Sequence, residues 1–205
     1  YIGATMTLSG SPWTHEKLGA LLSYELDLGF GTGEGGTFSA PDTDSPATRL
    51  TFAGARIFVD RRLSRHLLLG VGTGAQATAY TVEPNSLYTG HRYISVDASL
   101  RMRLVELAER FSIAAEAGVY PVFALDNSDG GHGPGTAFGA RGELQLGWRI
   151  APGASTPSLR GLRLLVRYRY QRYRGQFPTS PVGSRGGVSV DNQHMTGVMF
   201  QYALP

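Results

Sequence analysis

The stretch Leu162 to Arg172, LRLLVRYRYQR, sorts its side chains into two sets with a period of two. Leu162, Leu164, Val166, Tyr168 and Tyr170 form one set, and Arg163, Leu165, Arg167, Arg169 and Gln171 the other. A period of two places the sets on opposite faces of a strand, each face in its own environment. Guanidiniums gathered on one face need either bulk water or carboxylates opposite them. Other alternating segments carry Glu25, Asp27, Asp97, Glu116 and Glu143 on their polar faces. The polar faces of many tilted strands meet only inside a closed barrel.

Length and composition narrow this further. A chain of 205 residues fits one all-β domain, and we expect a single unit over 1–205, with 1–16 as a lead-in or extra strand and 17–204 as the barrel. The absence of cysteine excludes a disulfide framework, and 28 glycines suit closely packed strands joined by many turns. The net charge of +3 comes from scattered arginines rather than a basic run, so nucleic acid is not an expected partner. No apolar run reaches the length of a membrane helix, and the amino terminus is not of the signal type. The chain is then either soluble or spans as strands with its signal peptide already removed.

Read in order, Lys17 to Phe30 alternates cleanly, and Arg49 to Asp60 follows after a polar loop from Gly31 to Ala47. In the latter the apolar parity slips from Leu50 and Phe52 to Ile57 and Val59 across Gly54, which predicts a bulge and turns Arg56 inward. His66 to Thr81 sets a column of Gly70, Gly72 and Gly74 against apolar partners. Tyr93 to Leu104, Arg110 to Phe123, Ala137 to Ile150, the opening stretch and a final strand ending near Leu204 complete eight. Tyr1 to Leu8 would add to the wall, in a ten-stranded relative, if it paired. Loops at Asp126 to Gly135 and Tyr173 to Gly187 are rich in turn formers. Long and short connections alternate along the chain.

The lumen of an eight-stranded barrel barely holds side chains, so the face carrying most of the large apolar residues must be the outer one. An apolar outer belt of that size requires lipid around it. Aromatics gather at strand ends in two expected girdles. Phe30, Phe52, Tyr93, Phe123, Phe138, Tyr168 and Tyr170 lie toward the long-loop rim, and Phe58, Phe111, Trp148, Phe200 and Tyr202 toward the other. With its strand count, alternating loop lengths and final Met199-Phe200-Gln201-Tyr202, the chain resembles the small eight-stranded bacterial outer-membrane barrels, the class that includes the OmpA transmembrane domain. The resemblance covers Lys17 to Leu204. It implies a closed antiparallel up-and-down transmembrane β-barrel integral to the outer membrane, with long loops outside the cell and short turns in the periplasm.

The chemistry centres on a predicted lumenal ion network of Glu25, Asp27, Asp97, Arg101, Arg103, Glu116, Arg141, Glu143, Arg163, Arg167 and Arg169, with Glu143 as the expected partner of Arg167. The principal expectation is that these charges plug and rigidify the barrel; the alternative is a path for ions or a small solute. No His-x-Ser suits a lipid hydrolase, and the nearest approach is Asp191-Asn192-Gln193-His194-Met195-Thr196. His132 with Asp126 and Asp129 is a weak metal candidate. No metal or cofactor is expected. Function is expected in a structural or surface-interaction role through the loops, with no open pore. The expected partners are outer-membrane lipid and lipopolysaccharide, with a protein partner possible at the extracellular loops or periplasmic turns.

Overall fold

The computed structural model describes residues 2–15, 19–34, 47–82, 90–108, 110–127, 135–151, 153, 162–177 and 187–202. They form nine strands and no helix: β1 (Ile2–His15), β2 (Ala20–Glu34), β3 (Ala47–Arg62), β4 (Leu67–Val82), β5 (His91–Leu107), β6 (Phe111–Asn127), β7 (Gly135–Arg149), β8 (Leu162–Phe177) and β9 (Gly187–Tyr202). Each pairs antiparallel with the next in sequence, giving one up-and-down sheet ordered β1 to β9.

The expectation of eight strands is therefore corrected to nine. β1 pairs with β2 from Ile2 against Thr32 to His15 against Ala20. The run Ser9-Gly10-Ser11-Pro12, which reads as a strand ending, lies within β1, where the register shifts between Gly10 and Trp13. An edge strand with a bulge accepts a proline that a central ladder would reject. Strand ends also reach further than the loop-rich sequence suggests. β2 continues to Glu34, β6 to Asn127 and β8 to Phe177, so Tyr173 to Phe177 is wall rather than loop. The remainder of those expected loops, residues 35–46, 128–134 and 178–186, lies outside the described residues, and the metal candidates His132 and Asp129 lie there too.

The bulge expected at Gly54 is absent, because the registers of β3 against β2 and against β4 both run through Gly54 without a shift. Leu50, Phe52, Arg56, Phe58 and Asp60 consequently share one face. The irregularity falls instead on β6, where the ladders shift around Val122 to Leu125 just beyond Pro121, a residue with no N–H to give. Two tight turns need the left-handed region: Gly19, with φ +58°, accepts a hydrogen bond from the Arg62 N–H, and Ala108 lies at φ 47° between β5 and β6.

The sheet is strongly curled. Side chains of β8 touch those of β2, β3 touches β6, and β5 touches β9 across one concave face. The edge strands β1 and β9 run in the same direction and approach within 8 Å at some Cα atoms. Among the described residues no hydrogen-bonded ladder joins them. The convex face exposes Leu26, Leu28, Phe30, Ile57, Val59, Val71, Leu100 and Val198. The concave face buries charge.

Candidate functional site

Room for that charge comes from β4. A Cβ added at Gly70 would lie 2.2 Å from Asp60 Oδ1, at Gly72 2.3 Å from the Phe58 ring, and at Gly74 2.1 Å from the Ala55 carbonyl oxygen. The glycine column is thus the floor on which the inward side chains of β3 lie down. On it the Phe58 ring supports the Arg101 guanidinium, whose Cζ sits 3.6 Å above the ring centroid, a cation–π contact.

Three layers follow along the concave face. Nearest the short turns, Asp60 accepts from Arg101 Nε and NH2 at 2.8 and 2.5 Å, from Arg103 at 2.7 Å and from Ser23 at 3.1 Å. The middle layer is an interlocked network. Arg56 donates to Glu25 at 2.5 Å, Asp27 at 2.9 Å and Glu116 at 2.9 Å, so one β3 side chain bridges β2 and β6. Arg169 donates from Nε to Glu143 at 2.5 Å and from NH2 to Asp27 at 2.7 Å. Arg167 reaches Asp27 at 3.2 Å and Glu25 at 3.4 Å. Arg141 bonds Glu116 and faces Asp97 at 2.9 Å, and Thr7 of β1 donates to Asp27 at 2.6 Å.

Toward the long connections, the third layer is aromatic. Tyr93 stacks on Tyr173 with centroids 4.3 Å apart, and Tyr120 lies against the other side of the same group at 5.9 Å, with Leu125 and Phe177 packed beside them. Their hydroxyls are engaged rather than stranded: Gln76 donates to Tyr173 at 3.1 Å and Gln171 to Tyr120 at 3.3 Å. Tyr93 donates to Asp191, which also meets His91 Nδ1 at 3.0 Å.

Every residue of the expected ion network faces inward, Arg163 half buried opposite Arg149 on the ladder. The expected pair of Glu143 with Arg167 is present at 3.8 Å, and Arg169, directly opposite Glu143 and bonded at 2.5 Å, is its closer partner. Two members that the network lacked, Arg56 and Asp60, hold it together; their unbroken parity with Leu50, Phe52 and Phe58 was the signal. The girdles are corrected in three places. Phe52, Phe58 and Tyr93 point into the concave face, 8%, 1% and 0% exposed. Phe30, Phe111, Phe123, Phe138, Trp148 and Tyr168 do project outward, and Tyr170 does so half buried, whereas the side chains of Phe200 and Tyr202 lie outside the described set.

The arrangement is better suited to holding a shape than to reaction. Among the described residues, the ion pairs that bridge strands join six arginines (56, 101, 103, 141, 167, 169) to six carboxylates (25, 27, 60, 97, 116, 143), so the charges of these pairs balance one another. Arg forks each satisfy several carboxylates, whereas buried Asp97 faces Arg141 at 2.9 Å with neither carboxylate oxygen hydrogen-bonded among the described residues. The Asp191 to Thr196 segment splits across β9, with Asp191, Gln193 and Met195 concave and Asn192, His194 and Thr196 convex, so Asp191 and His194 cannot form a relay. Among the described residues no three His, Asp or Glu side chains gather to hold a metal ion. Comparison with known proteins finds no matching family model, curated protein or solved structure.

Proposed function

We propose that the chain is a β-barrel integral to a bacterial outer membrane, closed by its edge strands, with a filled lumen and a structural or surface-interaction role exercised at its long connections. The observation that carries this reading is the inversion of the usual soluble plan: paired charges fill the concave face while bulky apolar side chains cover the convex one. In water such a surface is an aggregation hazard, whereas acyl chains solvate it at no cost. Edge strands exposed to lipid would strand their N–H and C=O groups, so β1 and β9 must find partners, and their approach supplies one in each other. Strands related by in-register neighbours lie ~4.8 Å apart and next neighbours ~9.6 Å, so an approach within 8 Å leaves no room there for an intervening strand. Closure then makes a parallel seam.

The mutually balanced ion pairs and the aromatic layer argue against a conducting path, and loops on a rigid scaffold are where recognition varies. The decisive experiment is dilution from urea into phosphatidylcholine vesicles. The protein is expected to insert with sheet circular dichroism, to migrate differently on gels with and without boiling, and to give no unitary conductance in planar bilayers. A folded, monodisperse monomer in detergent-free buffer would overturn the reading.

A further inference from the structure

The convex face carries a polar patch on β8 and β9. Three ladder pairs stack there: Arg172 opposite Asn192, Tyr170 opposite His194, and Tyr168 opposite Thr196. Val166 and Val198 bound it on one side, and on the other Arg174 and Gln176 of β8, exposed opposite Val190 and Val188 of β9, carry it on toward the strand ends. Polar and ionisable groups facing lipid are costly and mark function. Here two of them are aimed by diagonal hydrogen bonds. The Tyr170 hydroxyl donates to Asn192 Oδ1 at 2.9 Å, and the Tyr168 hydroxyl meets His194 Nδ1 at 2.8 Å.

Those bonds decide what the patch offers. With Asn192 Oδ1 occupied, its amide N–H groups remain. With the Tyr168 hydroxyl donating to Nδ1, the imidazole proton sits on Nε2. Arg172, exposed and in no ion pair among the described residues, adds a guanidinium. Asn192 and Arg172 thus present free donors on one convex patch, joined by His194 Nε2 in the tautomer whose Nδ1 accepts from Tyr168. Beside it on β7, Gly142 lies opposite Tyr170, and a Cβ there would meet nothing within 4 Å, so the wall is recessed next to the donors.

Building on the membrane reading, we propose that this patch is a headgroup site for a phosphorylated amphiphile of the surrounding leaflet, its phosphate oxygens held by Arg172, His194 and Asn192 and an acyl chain lying in the recess at Gly142. Charge and geometry select the ligand: a cluster of donors matches phosphate, and apolar rows beside it match a chain already in the bilayer.

The test uses histidine-labelled protein in dodecylmaltoside micelles titrated with dioctanoyl phosphatidic acid, the His194 imidazole signal being assigned by its loss in H194F. That signal should move saturably. R172Q should weaken the response about tenfold or more, as expected for losing a charge-assisted contact. R92Q, which removes an exposed arginine on β5, should leave it unchanged. Dioctanoylglycerol and inorganic phosphate at equal concentration should fail to shift it. The proposal is overturned if R172Q binds like the parent, if R92Q weakens binding equally, or if inorganic phosphate alone reproduces the shift. Protein that folds in micelles yet shows no saturable shift refutes the site and leaves the barrel standing; protein that folds without detergent refutes both.

Discussion

Replacing Arg169 by Met tests the assignment of faces at a deeply buried charge. Arg169 is 2% exposed and its guanidinium bridges two carboxylates, Glu143 at 2.5 Å and Asp27 at 2.7 Å. Asp27 survives the loss, since Arg56 at 2.9 Å, Arg167 at 3.2 Å and Thr7 at 2.6 Å still donate to it. Glu143 does not: it keeps the neutral Gln145 amide at 2.5 Å, and its nearest remaining cation is Arg167 at 3.8 Å. One carboxylate is left buried and undercompensated, for which breaking one side of a pair costs about 3–5 kcal/mol. With a urea slope of about 2 kcal/mol/M, the midpoint should fall by about 1.5–2.5 M. E143Q in the R169M background removes the stranded charge and should recover about 2 kcal/mol, a coupling read from the double-mutant cycle. V166L, on the adjacent convex position, should change stability by less than about 0.5 kcal/mol. Unfolding in lipid vesicles followed by tryptophan fluorescence measures the parent, R169M, E143Q, the double variant and V166L, five proteins in all. Equal losses for R169M and V166L, or strictly additive effects of R169M and E143Q, would refute the reasoning.

Two further outcomes are expected. G74A drives a methyl against the Ala55 carbonyl at 2.1 Å and the Arg56 Cα at 2.8 Å, backbone atoms that yield only by shifting β3. It should cost about 1–3 kcal/mol, whereas G142A and G197A, whose added Cβ meets nothing within 4 Å, should be nearly neutral in the same urea assay. Because the chain has 0 cysteines, pairs placed at Met6 or Leu8 of β1 and at Val190, Thr196 or Val198 of β9 form a clean scan of the seam. At least one pair should cross-link on oxidation and migrate as a compact band unless reduced; none doing so would mean the edges are unpaired.

The alternation of β8 made the inward arginines legible because each neighbour on the strand is unambiguously apolar. The same holds for Glu25 and Asp27 between Leu26 and Leu28. β3 resisted the same treatment. Its convex residues Thr51, Ala53 and Ala55 carry no strong apolar signal, so Leu50 and Phe52 looked like the lipid face and a bulge was needed to reconcile them with Ile57 and Val59. The lumen instead uses Phe58 as packing beneath Arg101, a role that hydropathy alone does not reveal. Tyr93 shares parity with Ser95 and Asp97, and its position near a strand end obscured that. β1 was hidden by Pro12, which sits where the register against β2 shifts between Gly10 and Trp13, an irregularity that only the pairing reveals.

Asp27 gathers its cations from very different distances along the chain. Arg56 is 29 residues away on the next strand, whereas Arg169 is 142 residues away on β8. Neighbouring strands assemble early and remote contacts late, so Asp27 gains Arg56 with the β2–β3 hairpin and Arg169 only when β8 curls across the concave face. In the membrane reading proposed above, an incompletely compensated concave face would be costly against acyl chains, so curling of the sheet and its entry into lipid would be coupled.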